Sequence, residues 1–168
     1  MNTETKPKKE SKLDIDSNYD LRLVSTLSPA LRWVLTLPIA FIAMFAVQVG
    51  FGTLVKLINS NLPMGEIVNT IMLSTVMLAK YAIFVIAATS TAPLTRNKKF
   101  IAAIAAAFIG ALLCVGGTAI SLSLSVSIDK TMLISTFVAS ILGLLLGVWK
   151  VRSATSKPLT EENKASQL

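Results

Sequence analysis

Residues 67–91 read IVNTIMLSTVMLAKYAIFVIAATST and carry a single charge, Lys80. About 20 consecutive apolar residues let an α-helix cross a hydrocarbon core roughly 30 Å thick. The polar positions here, apart from Asn69 and Lys80, are serine, threonine and one tyrosine. The stretch stops before Ala92-Pro93, where the residue preceding a proline is pushed out of helical geometry. Residues 67–91 therefore read as a transmembrane span.

Working outward, the same pattern recurs three more times. Upstream, Ser28-Pro29 places a capping serine before a proline at the first helical position. The apolar stretch that follows runs through residues 33–55, with Arg32 and Trp33 at its interface. Pro38 removes a backbone donor and predicts a kink, and Gln48 is the strongly polar side chain expected to face another helix. Residues 56–66 (KLINSNLPMGE) read as a connection. Downstream, the basic turn LTRNKK leads into a span over about 100–120, and a further span covers 132–149, with Asp129 or Thr131 as its cap. Between them, residues 121–128 (SLSLSVSI) alternate strictly, which fits either a short extended edge or the frayed end of the third span.

The predicted class is an all-α membrane protein, a four-helix transmembrane bundle over residues 29–150 with polar tails. Residues 1–17 and 151–168 are expected to be disordered. Ser17 and Asp20 are spaced like a capping box, and Leu21, Val24, Leu27 and Leu31 recur at helical intervals, so residues 18–28 suggest a short interfacial helix. About 30 mostly polar residues precede the first apolar run, which argues against a cleavable signal peptide.

Lysine and arginine counts set the expected orientation. With both termini cytoplasmic, the inner segments carry thirteen (Lys6, Lys8, Lys9, Lys12, Arg22, Arg32, Arg96, Lys98, Lys99, Lys150, Arg152, Lys157, Lys164) and the outer loops two, Lys56 and Lys130. These basic residues also account for the net charge of +7 without nucleic acid, since they flank spans and form no stripe on a folded domain.

The segments LRWVLTLP (31–38) and TAPLTRNKK (91–99) resemble those of small, uncharacterised four-span proteins of bacterial inner membranes. The resemblance implies a multi-pass protein of the inner (plasma) membrane and carries no implication for activity.

Lys80 is the candidate functional residue within the membrane. It lies near the middle of its span, about 18 Å from either end at 1.5 Å per residue. Its side chain, reaching about 6 Å, cannot snorkel to either surface from an upright helix. The nine acids of the chain (Glu4, Glu10, Asp14, Asp16, Asp20, Glu66, Asp129, Glu161, Glu162) all lie outside the span centres. Lys80 must then be neutral, be hydrogen-bonded to Ser, Thr, Gln48 or backbone oxygens, or meet an acid from elsewhere. An anion site, a proton-linked site, a partner docking point and a purely structural lysine all remain open at this stage.

A second feature is helix packing. Ser135, Ala139, Gly143 and Gly147 recur every four residues and make one face of the fourth span nearly flat, while Leu144 is expected to point outward. The third span offers Ala103, Ala107 and Ala111 on one row and Ala106, Gly110 and Cys114 on the next. Lipid is as apolar as leucine, so helices associate through close packing, which small residues permit. The expected pairing is the third span against the fourth. Self-association or contact with another membrane protein is the alternative use.

With no histidine and one cysteine, Cys114, the chain excludes Cys/His metal and haem sites and an intramolecular disulfide. No catalytic set, phosphate loop or paired intramembrane carboxylates can be assembled, so no enzyme, no cofactor and no catalytic, cofactor-binding or metal residue is expected. Besides the lipid bilayer, the expected partner is another membrane protein or a second copy of this chain, through the small-residue seams. The sequence favours a non-enzymatic accessory or scaffolding subunit, with a small oligomeric transporter or channel using Lys80 as the alternative.

Overall fold

The computed structural model describes residues 15, 16, 18–62, 65–123 and 129–156. Of the tails expected to be disordered, 1–17 and 151–168, residues 1–14, 17 (the serine of the expected capping box) and 157–168 lie outside the described residues, as do 124–128 of the alternating serine stretch. Residues 151–156 are instead helix, the last turns of the fourth span. Helix α1 is a single turn, Arg22–Ser25, and four long helices follow: α2 (Pro29–Asn61), α3 (Glu66–Thr91), α4 (Lys99–Ser123) and α5 (Lys130–Ser156). A 3₁₀ turn, Arg96–Lys98, leads into α4. No strand occurs among the described residues; Ile15 and Leu21 form an isolated bridge.

All four long helices are long and apolar enough to cross a membrane. Large apolar side chains such as Val34, Phe45, Ile67, Phe108 and Trp149 face outward, as lipid contact requires. The helix ends follow the local chemistry. Ser28 accepts the Leu31 N–H and Pro29 opens α2, while Asp129 accepts the Thr131 N–H ahead of α5. Helix α2 is continuous past Pro38 and past Lys56 to Asn61, beyond the expected end of that span. Residues 121–123 continue α4 as helix, and α5 runs past Lys150 to Ser156.

Helix α3 is the hub. Helices α2, α4 and α5 all pack on it, α4 and α5 also pack on each other, and α2 has its main contact with α3. Phe41 of α2 meets Phe84 of α3 edge to face, with centroids 5.7 Å apart. Here the structure corrects the expected pairing. The flat face of α5 lies against α3: Ser135 bonds Ser74 at 2.8 Å, Gly143 abuts the Leu78 backbone, and Gly147 faces Val85 and Ala82. The physical reason lies in α3, whose Ser74, Leu78 and Ala82 also recur every four residues and offer backbone at each level where α5 has no side chain. Spacing identifies a flat face without identifying its partner.

Leu144 is corrected too. It is 4% exposed and fills the space over Gly110 of α4, its Cδ2 2.5 Å from where a Cβ would stand. Gly110 thus admits Leu144 and Phe84 together and joins α3, α4 and α5 at one level.

Candidate functional site

Beyond that junction, side chains of α3, α4 and α5 together line a crevice of about 240 Å³. Lys80 and Tyr81 of α3 and Cys114 of α4 stand at its inner end, and it extends past Thr118 and Thr136 toward Ser121 and Leu133, near the helix ends by Asp129. The Lys80 Nζ lies 5.8 Å from the Tyr81 ring centroid, within cation–π range. Tyr81 and Cys114 meet each other at the same level. Among the described residues Lys80 makes no hydrogen bond or ion pair, and no acid lines the crevice.

The serine and threonine hydroxyls lining the crevice are committed to their own helices. Thr118 donates to the Cys114 carbonyl, Ser121 to Gly117, Thr136 to Met132 and Ser140 to Thr136, at 2.7–2.9 Å. Back-bonding of this kind satisfies the proton and leaves the oxygen lone pairs turned outward. Past Lys80 the crevice ends, because Phe84, Gly110 and Leu144 meet one turn further along their helices. Gln48 takes no part in it; its Oε1 is buried without a hydrogen-bond partner among the described residues.

At the opposite end of the bundle is a charge cluster that sequence reasoning missed. Asp16 and Asp20 close a tight turn, with Tyr19 at φ 61°, and the Leu21 N–H bonds to the Ser90 carbonyl at 3.0 Å. The Asp20 carboxylate then meets two buried cations, Arg32 of α2 and, at 2.6 Å, Lys99 of α4. It serves neither as a helix cap nor as an exposed headgroup charge. Lys99 also donates to the carbonyls of Thr89 at 3.0 Å and Ala92 at 2.6 Å, and Arg32 to that of Thr91 at 3.2 Å. These oxygens form the C-terminal end of α3, the negative pole of its dipole, which offsets the excess positive charge. Burial alone would raise the Asp20 carboxyl, but the hydrogen bonds and charges of Arg32 and Lys99 outweigh it and hold it below the ordinary aspartate value.

The sequence presented Arg32 and Lys99 as interface charges. What marks them as structural is their meeting on one carboxylate, which spacing along the chain does not reveal. Arg32 and Thr91, Ala92 and Lys99 fall within the two segments LRWVLTLP and TAPLTRNKK, so those stretches have a packing role beyond marking the interface. Comparison of the chain with family models, curated proteins and solved structures finds no match.

Proposed function

We propose that the protein is a non-enzymatic accessory subunit of the bacterial inner membrane that docks an anionic group of another membrane component at Lys80. One observation carries this reading: the Lys80 amine stands at the end of a crevice lined by apolar side chains and a few hydroxyls, with no acid of the described chain beside it. A lysine at the centre of a span costs roughly 2.5–3.5 kcal/mol even on the lenient insertion scale. Within the described residues the Tyr81 ring offsets part of that cost, and no hydrogen bond or ion pair offsets the rest. Water entering the crevice lowers it, and an anion supplied by a partner would turn it into attraction.

The orientation belongs to the same proposal. Thirteen basic residues against two favour cytoplasmic tails, which would open the crevice toward the outer half of the bilayer. The junction of Phe84, Gly110 and Leu144 blocks the crevice in this chain, and this favours docking over translocation. A photo-reactive residue in place of Ser121, in native membranes, should give a discrete protein adduct that Lys80→Met abolishes. Vesicles containing the protein alone should pass no small anion. An adduct pattern unchanged by Lys80→Met, or anion flux that depends on Lys80, would overturn the proposal; the second result would favour an oligomeric transporter.

A further inference from the structure

We infer that the group received at Lys80 is a single carboxylate, carried on the side chain of a partner's transmembrane helix. This rests on the docking reading above and specifies its occupant. The first support is the set of donors in the crevice, where the Tyr81 hydroxyl and the Cys114 thiol are engaged with each other. Thr118, Ser121, Thr136 and Ser140 each direct their proton to a carbonyl of their own helix, so each presents lone pairs to the cavity. Lys80 is the one cation among the lining residues and brings three N–H donors. A phosphate or sulfate would set several oxygens against those hydroxyl oxygens, lone pair facing lone pair. A carboxylate, with two oxygens and one charge, is matched by one ammonium.

The second support decides where the carboxylate comes from. One ion pair in a wet crevice holds a free carboxylate weakly, so adjoining contact must supply the affinity. Helix α4 provides the surface for it. A Cβ built on Gly116 or Gly117 meets nothing within 4 Å, whereas Gly110, Gly143 and Gly147 are already occupied by neighbouring helices. Gly117 and Ser121, one turn apart along the crevice, leave α4 thin where another helix backbone can approach. A carboxylate borne on a membrane-spanning helix is itself costly at this depth unless paired, so the two charges complement each other.

The test uses the full-length protein, donor-labelled and reconstituted in phosphatidylcholine vesicles. The probe is an acceptor-labelled Leu/Ala helix of about 20 residues bearing one central Glu, with a Gln version as control. Energy transfer should saturate with the Glu helix and be at least about tenfold weaker with the Gln helix, a clear margin in binding free energy. Lys80→Met should reduce the Glu helix to the Gln level. Gly117→Leu, whose side chain enters open space and should leave the melting temperature unchanged, should do the same by blocking the wall.

A second readout follows the NMR signal of ¹³C-methylated Lys80, assigned by its loss in Lys80→Arg, during titration with acetate and with inorganic phosphate. A response to acetate without Glu-helix binding overturns the helix occupant and leaves the docking reading standing. An equal response to phosphate overturns the carboxylate assignment. Glu-helix binding that persists in Lys80→Met overturns this inference. Silence of Lys80 toward every probe, the helix included, overturns both it and the docking reading.

Discussion

Asp20→Asn is the most informative single change at the charge cluster. It preserves shape and removes the negative charge that faces Arg32 and Lys99, whose side chains are 9% and 0% exposed. Deleting one partner of a buried ion pair costs about 3–5 kcal/mol, because the surviving charge stays buried. Both cations keep carbonyl partners, Lys99 at Thr89 and Ala92 and Arg32 at Thr91, which places the loss near the lower end. A loss of about 3 kcal/mol is a factor of roughly 150 in the folded-to-unfolded ratio. For a chain of this size it corresponds to a fall of about 6–12 °C in melting temperature.

The assay is thermal unfolding of purified protein in mild detergent, with Glu66→Gln at the exposed opposite end as a control that should melt with the wild type. Removing one orphaned cation should restore part of the loss, so Asp20→Asn/Lys99→Met should melt above Asp20→Asn alone. The pH dependence has a defined sign. Because the Asp20 carboxyl is held below its ordinary value of 3.8 in the folded state, the unfolded chain takes up the proton first. Its contribution is full above that value and is lost as pH falls through the folded one. Asp20→Asn should flatten that acid-side loss. If Asp20→Asn melts with the wild type across the pH range, the cluster does not hold the helices together and the reasoning fails.

The packing predictions form a series set by what each glycine faces. Gly143→Ala drives a Cβ into the Leu78 backbone and should cost about 1–3 kcal/mol. Gly110→Ala meets the tip of Leu144, which can move, and should cost less; Gly116→Ala faces open space and should cost nothing measurable. An order other than this in detergent melts would refute the seam. Leu144→Ala empties the junction over Gly110 and should cost about 2 kcal/mol, the low end for a buried leucine. For topology, Asn97→Cys in a Cys114→Ala background should be shielded from an impermeant thiol reagent in intact cells, and Ser60→Cys should be labelled; labelling at 97 would refute cytoplasmic tails.

The four spans were legible because the length of an apolar run is read directly against bilayer thickness. Local end chemistry was legible as well: Ser28-Pro29 and Asp129 each act within three residues of themselves. The partner of the flat α5 face was not, because Ser135, Gly143 and Gly147 fit any helix that offers backbone at a matching spacing. Leu144 looked like a lipid-facing residue because it follows the ladder by one position, yet α4 closes over it through Gly110. Lys80 was identifiable from depth alone. Its crevice was not, since it depends on how α3, α4 and α5 come together in three dimensions. Asp20 was hardest of all: its partners are 12 and 79 residues away.

That last separation orders the birth of the protein. Asp20 and Arg32 leave the ribosome close together, but Lys99 follows Asp20 by 79 residues. At about 5–20 residues per second, the first segment therefore waits roughly 4–16 s for its second cation. During that interval the first span must hold its place in the bilayer without the contact that later fixes it. The turn at Asp16 and Asp20 thus ties α2 to α4 only once Lys99, at the start of the third span, has been made and has reached its final depth.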